Sequence, residues 1–262
     1  MMGTAHTTLQ RFVVRMLFDP QFVDRVHQED QIPGLDDEAL AWLRAVPRQA
    51  WSTDPYRRSR SLQALLEEFP VSAAVWTTEV GDLRKLDAFF SSNAFHVCIH
   101  ERGSLALSFG NWLVASTGPI GTLETAFARA RRLTPPQGQG WVLAPGHEPV
   151  ALPVGTVRRY LAIREHLGGD AIEKLLGGLK LPSNLPPLGE QTEHLLIEGG
   201  ASSDLSIGHI GKALYDLLHG ARHAKTIVQL QQLAISLGAE PDEADTVVQD
   251  LIDEELILEI AS

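Results

Sequence analysis

His96, Cys98 and His100 stand two residues apart in FHVCIHE, and imidazole with thiolate is a common transition-metal ligand set. On a strand all three side chains would share one face. On a helix His96 and His100 would, at i and i+4, while Cys98 turned elsewhere. The flanks favour helix: Phe95, Ile99, Ala106, Phe109 and Leu113 follow a helical stripe through SNAFHVCIHERGSLALSFGNWLVAS. The three therefore read as partly buried polar residues on a core helix, and a metal-dependent enzyme built on them is the alternative. A lone cysteine without a reason for a lowered pKa is usually structural. The chain carries no P-loop, GxGxxG, GxSxG, HExxH or CxxC, so phosphate cradles, nucleophile elbows and zinc sites have no motif behind them. We assign no catalytic residue and no metal ligand.

A second group with chemical potential is Tyr56, Arg57 and Arg58, with Arg60, in DPYRRSRSL. These could hold an acidic partner. They could equally form the solvated face of an amphipathic helix whose buried face is Leu62, Leu65, Leu66 and Phe69. Arg129, Arg131 and Arg132 fall at a helix end, where cations suit the dipole.

Charge separates the chain into two parts. Residues 189–262 hold fourteen acids and three bases, which accounts for the whole net charge of −11, so residues 1–188 are neutral. All five tryptophans lie in the first 141 residues, placing the large aromatic core in the neutral part. The single cysteine excludes an internal disulfide, and no apolar run approaches the length of a membrane span. The start MMGTAHTTLQR lacks a signal peptide's basic-then-apolar order. These features lead us to expect a cytoplasmic protein.

Successive helices are expected over the first 130 residues. Thr8 can cap LQRFVVRMLF; Asp19-Pro20 opens QFVDRVHQ; EALAWLRAV follows; Asp54-Pro55 opens a longer helix that Pro70 ends. Further helices are expected at 82–90, 93–115 and 121–132. Around Pro145-Gly146, WVLAPGHEPVAL reads as a β-hairpin near 140–152, followed by helices in VRRYLAIREHLG and DAIEKLLGGL. The proline-rich stretch GGLKLPSNLPPLG then coincides with the charge shift. We therefore expect a mainly α domain over 1–180 and a second domain over 188–262.

The second domain has the clearer pattern. HLLIEGG and DLSI are strand candidates, three amphipathic helices follow near 206–218, 226–237 and 242–255, and LILEI closes the chain as a strand. This order predicts an α+β, winged-helix-like module. A DNA reader would insert the third helix, yet that helix carries seven acids and no Lys or Arg, the wrong charge for phosphate neutralisation. A small sheet with an open edge can instead take an extended peptide as an added strand, and an acidic groove would favour Lys or Arg in it.

LSIGHIGKALYDLLHG, TIVQLQQLAISLGAEPDEADTVVQDLIDEELIL and their spacing resemble PqqD-like RiPP recognition elements, winged-helix modules that bind leader peptides of ribosomally made, modified peptides. The resemblance implies that a leader pairs with the strand before the first helix and lies against the third. It points to Asp204, Leu205 and Ser206 as the edge, and to Val247, Val248, Leu251 and Glu254 as the groove wall. LQRFVVRMLFDPQFVDRV, AWLRAVPRQAWSTDPYRRSRSLQALLEEFP and the helix ending LSFGNWL resemble partner proteins, of the MbnC and TglI kind, of TIM-barrel multinuclear non-haem iron oxidases. This second resemblance implies a non-catalytic subunit without its own cofactor, presenting a precursor peptide's cysteine to iron held by the partner enzyme. Tyr56, Arg57 and Arg58 are the candidate docking residues.

Overall fold

The computed structural model describes residues 3–52, 54, 56–132, 139–199, 205–223 and 225–260, with side chains from Leu9 onward. In chain order the helices and strands are α1 (Gly3–Phe18), α2 (Pro20–Gln28), α3 (Asp37–Ala45), α4 (Arg48–Trp51), α5 (Arg57–Glu68), α6 (Pro70–Val80), a 3-10 segment (Leu83–Ser91), α7 (Asn93–Glu101), α8 (Leu105–Thr117), α9 (Pro119–Arg131), β1 (Gly140–Leu143), β2 (His147–Pro153), α10 (Thr156–Leu167), α11 (Ala171–Leu176), β3 (Thr192–Glu198), β4 (Ser206–His209), α12 (Lys212–Gly220), α13 (Ile227–Ser236), α14 (Ala244–Asp253) and β5 (Ile257–Ile260). Among the described residues the protein is mainly helical with two small antiparallel sheets. No described helix is long and apolar enough to cross a membrane.

Two compact units emerge: Met1–Ser116 with Leu167–Leu181, and Thr117–His166 with Pro182–Ser262. The return near residue 182 falls within the expected linker, but Thr117–His166 belongs with the C-terminal part and not with the helices before it. The cause is strand pairing. Far from forming a hairpin with each other, β1 pairs with β5 and β2 pairs with β3. Ala144-Pro145-Gly146 is a corner between two sheets, and Gly146 turns it with φ of 95°.

The described elements of the first unit are all helical. Asp19 accepts the Phe22 N–H at 3.3 Å to cap α2, with Pro20 fixing φ in its first turn. Asp36 caps α3 through the Ala39 N–H at 2.7 Å. Met16, Phe22, Val26, Leu40, Leu43 and Trp51 interlock in one cluster. A second centre forms around Phe89, whose ring lies 5.1–5.7 Å from those of Phe90, Phe95, Phe109 and Trp112. The four phenylalanines are fully buried and Trp112 partly so, and rings at these separations supply both area and favourable edge contacts.

Three helix expectations change here. The first helix starts at Gly3, not after Thr8, because nothing in GTAHT breaks it. The expected 93–115 helix is two, since Arg102 enters the left-handed region (φ 55°) and the Gly103 N–H closes on the Cys98 carbonyl at 2.8 Å. Pro70 ends α5 but also begins α6 as its first residue.

In the second unit α9 is buried nearly all round and packs along β2. The three-stranded sheet runs β2-β3-β4. Directly paired residues share a face, so Leu196 lies on one face and Val150, Leu195 and Ile197 on the other. Leu196 joins the core of α12, α13 and α14 with Leu217, Leu218, Leu230, Val248 and Leu251. The first of these helices starts at Lys212 instead of 206, because Ser206–His209 is spent as a strand. Thr226 and Gln229 form a reciprocal capping box on α13.

Glu148 ties this unit together. Its carboxylate, almost fully buried, receives Arg129 of α9 at 3.0 Å and Arg222, just past α12, at 2.7 Å. Arg222 also donates to the Pro149 carbonyl at 2.8 Å.

Candidate functional site

β4 lies at an edge of its sheet: among the described strands it pairs with β3 alone. The ladder's phase settles which backbone groups remain available. The Ile210 N–H donates to the His194 carbonyl at 2.9 Å, and the register continues through Gly208↔Leu196 and Ser206↔Glu198. Hydrogen-bonded pairs alternate along an antiparallel ladder. Ser206, Gly208 and Ile210 therefore direct their backbone groups at β3, while Ile207 and His209 direct theirs outward. Nothing among the described residues outside the ladder bonds to the Ile207 or His209 N–H.

The side chains of this strand divide by the same parity. Ile207 and His209 share the face of Ile197 and Leu195; Ser206 and Gly208 share the face of Glu198 and Leu196, towards the three-helix core. Ser206 donates its hydroxyl to Glu198 at 2.6 Å, and His209, largely exposed, reaches Glu193 at 3.8 Å. Two carboxylates therefore stand against this strand, Glu193 and Glu198. Of the three cations in residues 189–262, Lys212 is paired with Asp216 and Arg222 with Glu148.

Of the residues expected at a peptide edge, Leu205 precedes β4 and Ser206 begins it, but Ser206 directs its backbone groups at β3, and Asp204 lies outside the described residues. Of the expected groove wall, Val248 and Leu251 are only 1% and 4% exposed, locked into the core with Leu217 and Leu230. They cannot line an open groove. With Ala244 they follow i, i+4, i+7 spacing, which makes them the inward stripe of α14. Val247 flanks that stripe partly exposed, and Glu254 is an exposed cap residue at the helix end.

The expected docking residues are placed differently from one another. Tyr56 is 68% exposed beside the start of α5. Arg57 instead donates to the Leu17 carbonyl at 3.1 Å. Arg58 bonds the Asp87 carboxylate at 2.8 Å and its carbonyl at 2.6 Å, with its guanidinium 5.5 Å from the centre of Phe90. Both arginines thus serve the interior of their own unit. Arg58 also lines a depression of about 310 Å3 with Phe18, Val23 and Trp51.

His96, Cys98 and His100 do lie on a helix, α7, as the flanking stripe predicts. His96 Nε2 meets Asp19 at 3.4 Å, whereas His100 Nε2 meets Arg11 at 3.0 Å. Cys98 is buried, and burial pushes its thiol pKa up, away from thiolate chemistry. Burial also works against the Asp19 charge, but the His96 contact, the Phe22 N–H and Arg15 outweigh it and hold that carboxyl below its ordinary range. Among the described residues no three His, Cys, Asp or Glu side chains are gathered as metal ligands.

Ile207, Gly208 and His209 were not singled out by sequence. Their signal was the alternation of ladder pairs, which needs the register. The chain matches no protein-family model and none of the curated proteins.

Proposed function

We propose that this chain is a non-catalytic partner subunit in peptide natural-product biosynthesis, in which the C-terminal module binds a precursor's leader as an added β-strand. We read β2, β3 and β4 with α12, α13 and α14 as a winged-helix-like recognition element. The observation that carries the reading is the outward backbone of Ile207 and His209 on an uncovered edge. Unpaired strand edges are costly to leave exposed in a monomer and are natural templates for a peptide strand. The acidic surroundings favour a leader carrying Lys or Arg.

The helical N-terminal segments support the other half of the reading through their resemblance to partners of TIM-barrel iron oxidases. Catalysis then belongs to iron in that second chain. This subunit holds the leader so that the target cysteine dwells near the oxidase, where short tethers give effective concentrations of about millimolar. Tyr56 remains the docking candidate, being exposed where its neighbouring arginines are engaged.

His209→Pro tests the edge. It deletes an outward N–H and leaves the Gly208 and Ile210 bonds to β3 in place. Fluorescein-labelled peptides selected from a random displayed library on the full chain should lose at least about tenfold in affinity, which is one lost hydrogen bond to a committed strand plus its neighbours. Unchanged affinity with an unchanged melting temperature would overturn the reading. For the oxidase half, a tagged chain expressed in its native host should bring down a second chain with stoichiometric iron; recovery of the chain alone would overturn that half.

A further inference from the structure

Neither backbone conformation nor crowding requires the glycine at 208, mid-strand in β4. Its φ lies outside the left-handed region, and a Cβ built there would meet nothing within 4 Å. Glycine weakens a strand interior, and its presence often marks close approach by a ligand or another backbone. Gly140, by contrast, has φ of 108° and would drive a Cβ to within 2.6 Å of the Lys225 carbonyl oxygen, so that glycine is required by its own unit.

The ladder places Gly208 specially with respect to an incoming strand. An antiparallel peptide can hydrogen-bond only to the outward groups of Ile207 and His209. Its residue opposite Gly208 then occupies a non-hydrogen-bonded pair, where Cα atoms approach to about 4.5 Å and side chains lie closest. That peptide side chain shares the face of Gly208 and Leu196, over the open space left by the missing Cβ. Cross-strand aromatics cover edge glycines well. Two residues further along the peptide, the side chain opposite Ser206 falls on the face of the exposed Glu198 carboxylate.

We infer that β4 selects peptides by a short pattern, in which an aromatic residue lies across Gly208 and a Lys or Arg follows two positions later to meet Glu198. This rests on the edge-binding reading above and adds its sequence preference. Gly208 is a specificity-determining position, and Glu198 supplies the charge preference.

The test is a selection of random displayed peptides on the full-length wild-type chain, on G208L and on E198Q. Wild type should enrich aromatic-x-cation peptides. G208L should enrich Gly, Ala or Ser at the aromatic position, and E198Q should keep the aromatic while losing the cation. On wild type, replacing the aromatic by Ala in a selected peptide should weaken binding about 10- to 100-fold by anisotropy, the effect of exposing one large apolar side chain. If G208L fails to fold, Gly208→Ala, whose Cβ enters open space, should retain the wild-type melting temperature and still weaken the aromatic peptides. A wild-type chain that enriches no peptide overturns the edge reading itself. A wild-type consensus without an aromatic, or one unchanged in G208L and G208A, overturns this inference alone.

Discussion

The two units use their polar groups in opposite ways. In the first, Arg57 and Arg58 satisfy carbonyls and Asp87, and Asp19 caps a helix while holding His96 and Arg15. Side chains that look reactive in the sequence are consumed by their own fold. In the second, Glu148, Arg129 and Arg222 likewise close on one another, yet an entire backbone edge is left with outward groups at Ile207 and His209. The recognition proposed there would need no reactive side chain, because main-chain pairing would supply affinity and side-chain spacing choice. A chain without catalytic motifs and an edge unpaired among the described residues are thus compatible features of one molecule.

The largest expected effect tests the packing on the first side of this contrast. Phe89→Ala removes the ring that touches Phe90, Phe95, Phe109 and Trp112 and should cost about 4 kcal/mol in denaturant titration. Affinity for β4-selected peptides, measured where the variant is still folded, should stay at the wild-type value. A parallel loss of affinity would break the separation between scaffold and recognition. Next, Glu148→Gln strips the charge that two half-buried arginines share and should cost about 3 kcal/mol, since two charged hydrogen bonds to one buried side chain weaken at once. Because Glu148 is on β2, away from the free edge, peptide selectivity should persist at temperatures below the lowered melting point.

Legibility in the sequence follows the same physics. α13 and α14 were foreseeable because each shows one apolar stripe against polar neighbours, and β5 because LILEI is a short β-prone run. α6 was not: Val71, Ser72, Ala73, Ala74, Trp76 and Thr77 are all buried, so its sequence has no periodic contrast to detect. The corner at Ala144-Pro145-Gly146 carried a genuine turn signal, but a turn says nothing about which distant strand each arm will join. The same limitation hid the membership of Thr117–His166 in the second unit. On α14 the apolar residues were identifiable while their depth was not: Val248 and Leu251 point inward and Val247 flanks them. For the edge, composition located the neighbourhood, and only the ladder's phase distinguished Ile207 and His209 from Ser206 and Gly208.

A smaller effect sharpens the role of the first unit's arginines. Arg58→Ala should cost about 2 kcal/mol, through lost charged hydrogen bonds to Asp87 and the stem packed near Phe90. Tyr56→Ala, at an exposed position, should leave stability within about 0.5 kcal/mol of wild type. If partner capture from the native host fell with Tyr56→Ala and survived Arg58→Ala, docking would belong to the tyrosine and the arginine would be structural. The reverse result would return Arg58 to the surface chemistry its sequence first suggested.

The smallest expected loss from a buried group concerns Asp19, whose depressed pKa makes its contribution depend on pH. In the unfolded chain this carboxyl titrates near its ordinary value of 3.8, and in the folded chain it titrates lower. Its stabilisation is therefore complete above the ordinary value and is lost as the pH falls through the depressed one. Asp19→Asn keeps an oxygen to accept the Phe22 N–H but gives up the charge facing His96 and Arg15. At neutral pH it should cost about 1 kcal/mol, the scale of one charge-assisted contact. Denaturant midpoints of wild type and variant should converge in acid. A gap that stayed constant down to the lowest pH at which both fold would mean that Asp19 contributes by shape and not by charge. The first unit's polar interior would then rest on packing alone, and the contrast with the hydrogen-bonding edge of β4 would be wider still.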